Sequence, residues 1–229
     1  MLIIRQHHKI INWHPEEDFD RIITAARLCY QSEPLDNDDD KQSFMRRLIE
    51  RGHLSPLEHS SLSVMFVTNR GVSHELVRHR LASYCQESTR YCNYSKDKFK
   101  CTPDKWVETN VILVDQESDN ENVQFIWDDY IHVNDRAAWL DSLKTIESIY
   151  LLMLKKGYPP QIARGILPND LKTQIMVTTN LREWRHIFEL RCSKQAHPHI
   201  RDLMLPLLKE VQKGIPVIFD DILEMLDNE

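Results

Sequence analysis

Apolar positions recur along this chain at two spacings, and the switch between them marks its elements. Between Glu16 and Tyr30, Phe19, Ile22, Ile23 and Ala26 fall three or four apart, which predicts an amphipathic helix with these side chains on one face. Leu2 to Ile4 reads as a short buried strand. The acidic run Asp36 to Asp40 suits a helix N-terminus, where carboxylates meet the positive end of the helix dipole, and Phe44 to Ile49 continues that helix until Gly52 stops it. Ser63 to Thr68 alternates and is rich in β-branched and aromatic residues, as a strand requires; Asn69-Arg70-Gly71 then turns the chain into a helix holding Val72, Leu76 and Val77. Val123 to Lys156 is the longest helical signal, ended by Gly157-Tyr158-Pro159-Pro160. Gln174 to Thr179 is strand-like, and Leu181 to Arg191 and Ile200 to Lys213 read as helices. The stretch from Tyr94 to Asn120 is polar, with a short strand expected at Val111 to Val114. Strands and long helices mix without a βαβ alternation. The expected class is therefore α+β, one domain over residues 1–229 with a mainly antiparallel sheet packed by long helices.

Composition narrows the function more than the fold. The 229 residues are 41% hydrophobic and 28% charged, ordinary for a soluble globular protein. No apolar run approaches the roughly 20 residues needed to span a membrane, and MLIIRQHHKI lacks the basic start and cleavage site of an export signal. A cytoplasmic location is expected. The five cysteines are odd in number and none are paired as C-x-x-C, so free thiols are expected rather than a disulfide framework or a zinc knuckle. A net charge of −6 argues against a protein that coats nucleic acid, so an anionic ligand would need a local basic cluster. Only five glycines occur, and no G-x-G-x-x-G or G-x-x-x-x-G-K can be built from them. A bound nucleotide would be held by side chains and helix ends.

The basic cluster exists. Arg78-His79-Arg80-Leu81-Ala82-Ser83-Tyr84-Cys85-Gln86-Glu87-Ser88-Thr89-Arg90-Tyr91 gathers arginines, a histidine and serines around one carboxylate. Arginine forks bind phosphate oxygens in pairs, and each charge-assisted hydrogen bond contributes roughly 1.5–3 kcal/mol. A solvated basic face is the plain alternative. A second signal lies in the Leu181–Arg191 helix. At about 100° per residue, Trp184, Ile187 and Phe188 form its apolar face, and Arg191 falls in the middle of that face. An arginine taken out of water there needs an acceptor, either a core carboxylate or a ligand that gathers negative charge.

The Arg78–Tyr91 segment resembles the signature of the flavin-dependent thymidylate synthases, R-H-R-x-x-S-x-N-x-x-S-x-R-Y, with Cys85 where the pattern has Asn. Gly52-His53-Leu54-Ser55-Pro56-Leu57-Glu58-His59 is similar to the family's G-H-x-[ST]-P-x-E-H, and Ala163-Arg164-Gly165-Ile166-Leu167-Pro168 to its A-R-x-x-L-P. Asn180-Leu181-Arg182 and Leu190-Arg191 resemble the N-x-R and L-R elements of a later helix. The likeness implies a homotetramer, with FAD sites at its subunit interfaces, that converts dUMP to dTMP with FAD, NADPH and 5,10-methylenetetrahydrofolate. It implies FAD contacts from Ser55, Arg78, His79, Arg80, Gln86, Asn180, Arg182 and His186, the last standing where the family commonly has Asn. It implies a dUMP site from Glu75, Arg78, Gln86, Glu87, Ser88, Thr89, Arg90 and Arg164, and a catalytic Arg191 that holds the uracil edge. No metal is implied.

Some residues invite other readings. Cys85 either packs as a small residue or is a reactive thiol beside arginines. Glu75 stands where the family often has Gln, and a carboxylate there needs a cationic partner. His74-Glu75-Leu76-Val77-Arg78-His79 is one residue too long for a zinc H-E-x-x-H, and His197-Pro198-His199 lacks a third ligand. His53 is either a structural histidine or part of the substrate pocket. A hydroxymethylating relative and a non-catalytic nucleotide-binding module remain as alternative functions.

Overall fold

The computed structural model describes residues 1–31, 35, 37–96, 111–114 and 123–228. Its elements run β1 (Leu2–Ile4), β2 (His7–Asn12), α1 (Pro15–Tyr30), α2 (Asp38–Glu50), a tight 3-10 turn over Ser55–His59, β3 (Ser61–Asn69), α3 (Arg70–Leu76), β4 (Ala82–Gln86), β5 (Val111–Val114), β6 (Gln124–Ile126), α4 (Arg136–Lys155), α5 (Pro160–Ala163), β7 (Lys172–Asn180), α6 (Leu181–Arg191), α7 (Pro198–Gly214) and α8 (Pro216–Asp227). The class is α+β. Two sheets form, one ordered β5-β1-β6 and one ordered β2-β3-β7-β4. β1 runs antiparallel to β5 and parallel to β6. In the larger sheet, Leu181 N–H donates to the Ser60 carbonyl and Arg70 N–H to that of Leu171, so β3 and β7 run antiparallel. The Thr179 hydroxyl donates to the Leu81 carbonyl and Glu87 N–H to that of Gln174, which sets β4 antiparallel to β7.

The chain divides into two compact units. The first comprises residues 1–7, 66–76 and 85–175, and the second 8–65, 77–84 and 176–229. In the first, Met1, Ile3, Phe125, Leu143, Tyr150 and Leu171 build a core around β1, β6 and α4. In the second, α6 packs against α7 and α8, with Trp184 stacked on Phe188 at 5.6 Å and Phe188 edge-on to Phe219 at 5.9 Å.

Most predicted elements form. α6 has the bounds its periodicity predicts, and α2 starts where its acidic turn does, with the Asn37 side chain accepting from Asp40 N–H at 2.9 Å. Gly52 ends α2 by turning to φ +71°, a conformation that costs other residues more, which lets His53 N–H donate to the Leu48 carbonyl at 2.8 Å. β5 forms at Val111–Val114, while 97–110 and 115–122, the rest of the polar stretch, lie outside the described residues, as does Asp36.

One element is corrected. The helix expected over Val123–Lys156 begins only at Arg136, and Gln124–Ile126 is a strand instead. Val123 to Ile126, Gln124 included, is buried throughout, and a short run buried on every side carries no periodicity to separate strand from helix. Val77 lies just past the end of α3 and is exposed. β2, β4 and α8 had no counterpart in the sequence reading; β4 was hidden because its residues read as part of a basic cluster.

Candidate active site

Two polar clusters carry the residues singled out above, one in each unit. That of the second unit centres on His79, which sits in the turn between α3 and β4 and is 5% exposed, between the exposed Arg78 and Arg80. The Tyr84 hydroxyl donates to the His79 carbonyl at 2.5 Å and secures this turn. The far side is built by α6. Asn180 is its N-cap, its side chain accepting from Glu183 N–H at 2.9 Å, so the helix starts where β7 ends. One face of α6 then points Glu183, His186 and Arg191 toward His79.

The geometry is specific. Arg191 Nε donates to His79 Nε2 at 3.0 Å, and His79 Nδ1 lies 3.4 Å from the Glu183 carboxylate. The His186 ring stands edge-on to His79 at 5.9 Å. Burial above all, and then the charges of Arg191 and His186, push the His79 pKa from 6.5 down to about 4, so its imidazole is neutral at neutral pH. Burial pushes the Glu183 carboxyl up, and burial followed by Glu183 pushes the Tyr84 phenol up to about 12. One acceptor that Arg191 finds is thus an uncharged imidazole, which takes the Nε–H hydrogen bond without adding a negative charge.

Beside this cluster lies a cavity of about 520 Å³ lined by Leu54, Glu58, Leu81, Asn180, Arg182 and His186, with Glu183, Arg185 and Glu189. Its size is that of a small-molecule site. Arg182 pairs with Glu58 at 2.6 Å, and the buried Arg185 is held in a fork by Asp221 at 2.7 and 2.6 Å. Ser55 opens the 3-10 turn and is exposed. Of the expected FAD residues, His79, Asn180, Arg182 and His186 thus gather at one side of the second unit. Sequence reasoning passed over Glu58, Glu183, Arg185 and Glu189. Glu183 could have been found, since Asn180-x-x-Glu183 has the spacing of a capping box.

The cluster of the first unit is built on the segment after β4. Gln86 Nε2 donates to the Ser73 hydroxyl at 2.8 Å and to that of Thr173 at 3.1 Å. The Glu87 carboxylate accepts from the Tyr94 hydroxyl at 2.7 Å and pairs with Lys172 at 3.0 Å, and burial, then Glu87, raises the Tyr94 pKa. Ser88 offers its carbonyl to the N–H groups of Tyr91 and Cys92, closing a turn. Thr89 is buried, and Arg164 donates to its hydroxyl at 3.0 Å. Arg90 is exposed, its guanidinium 5.6 Å from the centre of the Tyr91 ring. Neither Arg90 nor Arg164 has a carboxylate partner among the described residues. Glu75 is half-buried on α3, and Cys85 is exposed.

The other motifs resolve simply. The Tyr30 hydroxyl meets His53 Nδ1, and their rings lie nearly parallel at 6.1 Å. His197 caps α7, its ring nitrogen accepting from His199 N–H at 3.3 Å. Among the described residues no group of three or more His, Cys, Asp or Glu is placed to hold a metal ion, and no helix is long and apolar enough to cross a membrane.

The chain as a whole is similar to known proteins. Residues 9–217 match the family described as thymidylate synthase complementing protein. A flavin-dependent thymidylate synthase of Geobacter sulfurreducens is 33% identical over 207 residues, covering 87% of this chain and 80% of its own. One of Mycobacteroides abscessus is 33% identical over 221 residues, covering 92% and 83%. A crystal structure of the UMP/dUMP methylase PolB from Streptomyces cacaoi, bound with 5-Br dUMP, shares the fold with a TM-score of 0.73, 96% coverage of both chains and 19% identity. With the match spanning most of its length, this chain belongs to the flavin-dependent thymidylate synthase family.

Proposed function

We propose that this protein is a cytoplasmic, single-domain flavin-dependent thymidylate synthase that converts dUMP to dTMP with FAD, NADPH and 5,10-methylenetetrahydrofolate, and that it works as a homotetramer. The observation that carries the reading is the bond from Arg191 to a neutral His79. It holds a cation, half-buried and oriented, whose charge the imidazole leaves intact. A fixed cation of this kind stabilises negative charge as it develops on a pyrimidine ring, without rearranging at the moment of reaction.

The residues present fit a flavin. The cavity beside α6 offers the Asn180 amide, the Arg182 guanidinium and the His186 ring, and Arg78 and Arg80 stand exposed on the turn that carries His79. With Ser55, and with Gln86 supplied by any subunit of the tetramer, these would hold FAD, which when bound supplies the hydride chemistry that side chains cannot. Asn180 keeps its amide N–H groups for a ligand while its oxygen caps α6. For dUMP, Arg90 and Arg164 are cations with no carboxylate partner among the described residues, and they would take the phosphate. Arg164 donates to the Thr89 hydroxyl, which orients its fork. The Gln86 and Glu87 side chains are engaged with protein partners and the Glu87 N–H with the Gln174 carbonyl, which favours backbone contacts from the neighbouring Ser88 and Thr89. Glu75 would complete this side of the nucleotide site, and Arg78 and Arg191, the latter holding the uracil edge, would be supplied by any subunit of the tetramer.

The test is the visible absorption spectrum of the purified protein, without oxygen, before and after NADPH and dUMP. A flavin spectrum that bleaches with NADPH, faster when dUMP is present, is the expected result. A protein that stays colourless with added FAD would overturn the assignment.

A further inference from the structure

His79 touches more than it needs for packing. It is a neutral imidazole with a donor 3.0 Å from Nε2 and a carboxylate 3.4 Å from Nδ1, both from α6. Arg191 Nε carries a hydrogen and can only donate, so Nε2 of His79 must present its lone pair at the observed 3.0 Å. A neutral ring has one proton, which therefore sits on Nδ1. In water a neutral imidazole prefers the opposite tautomer, with its proton on Nε2, so this arrangement has to be enforced. The group facing Nδ1 is the Glu183 carboxylate, 3.4 Å away and 8% exposed as a residue. Among the described residues, Arg191 from the end of α6, His186 edge-on from its middle, Glu183 from its first turn, and the Tyr84 hydroxyl at the His79 backbone are the charged and titratable groups around the ring.

We propose that Glu183 is a positioning residue that fixes His79 as its Nδ1–H tautomer, and that His79 so fixed aims Arg191. The inference rests on the reading of Arg191 given above and deepens it. Without the acceptor at Glu183, a buried Nδ1–H would be left unpaired. The proton would move to Nε2, where it would face the Arg191 N–H. Two donors cannot share that bond, so Arg191 would swing away. The chain of control runs over a single turn of structure: the Asn180 cap sets the start of α6, the start of α6 sets Glu183, and Glu183 sets the lone pair that Arg191 requires. A carboxylate at the third position of a helix also favours the helix dipole. That role alone would change melting temperature and leave the tautomer as it was.

The tautomer can be read directly by nitrogen NMR of the ligand-free protein labelled with 15N-histidine, with His79 assigned by loss of its signals in His79→Gln. Near neutral pH the wild type is expected to show a protonated Nδ1 and an unprotonated Nε2. Glu183→Gln keeps an acceptor oxygen and is expected to restore this pattern, while Glu183→Leu reverses it. In turnover, Glu183→Leu is expected to lose kcat by roughly 10- to 100-fold, by analogy with outer partners that orient metal-binding histidines, with flavin still bound and with Glu183→Gln recovering most of the loss. A wild-type His79 protonated on Nε2 overturns the inference whatever the variants do, including a leucine variant that fails to fold. A folded Glu183→Leu protein with the wild-type tautomer overturns it as well. If the tautomers behave as expected but the protein never turns over dUMP, the functional reading fails while the control of Arg191 through His79 stands.

Discussion

On α6, Arg182 and Arg185 are each matched by a carboxylate, Glu58 and Asp221, at 2.6 Å, whereas Arg90 and Arg164 near the β4 end have no carboxylate partner among the described residues. Arg191 is intermediate, since it donates to a neutral imidazole. Of the matched pair, Arg185 shapes the scaffold: it is buried, and its fork to Asp221 ties α6 to α8. A buried cation without such a partner would be costly. Unmatched arginines on a chain of net charge −6 have a different use, because they keep a local positive field for an anionic ligand. The comparison separates cations already held by a carboxylate from cations whose charge is open to a phosphate.

Arg191→Ala tests the intermediate case and should have the largest effect. Loss of a preorganised donor at a site of developing charge lowers kcat by roughly 100- to 1,000-fold, while the flavin spectrum persists. A variant with nearly normal kcat would remove Arg191 from the chemistry. Next, Arg164→Ala and Arg90→Ala should each raise the KM for dUMP by roughly 10- to 150-fold, as expected for about 1.5–3 kcal/mol of charge-assisted hydrogen bonding. Arg182→Ala should instead weaken FAD retention and spare the dUMP KM. If all three variants changed the same parameter, the division between matched and unmatched cations would collapse.

A smaller effect follows from His79. Its pKa is depressed from 6.5 to about 4, so the folded protein disfavours a proton that the unfolded chain accepts. The stability this contributes is complete above about pH 6.5 and is lost as pH falls toward 4. Glu183, whose carboxyl burial pushes up, acts in the opposite sense, so the useful quantity is a difference. Melting temperature between pH 7 and 4 should fall more steeply for the wild type than for His79→Gln, and parallel slopes would show that His79 is not held neutral. The smallest effect is expected at Cys85, which is exposed. Cys85→Ser should shift stability by no more than about 0.5 kcal/mol, as surface substitutions do, and should keep its activity. Complete loss of turnover with FAD still bound would make that thiol part of the reaction.

Much of this architecture was legible because local periodicity reports local burial. α1, α6 and α7 show one apolar face each, and β3 and β7 are recognisable by their β-branched composition and bounds. The misread segment, Val123–Ile126, is buried on all sides, so its pattern holds nothing that distinguishes a strand from a helix. The site divides along the same line. That Arg191 sits on the apolar face of α6, and so requires an acceptor, follows from the angle between successive residues of a helix. Which acceptor it finds could not be read, because His79 is 112 positions away and reaches Arg191 only through the packing of a turn against a helix. The same holds for Arg164 and Thr89, 75 residues apart, and for Glu87 and Lys172, 85 apart. Residue types and spacing determine which groups need partners. Tertiary structure alone decides which partners they get, and with them the charge state, tautomer and aim that chemistry depends on.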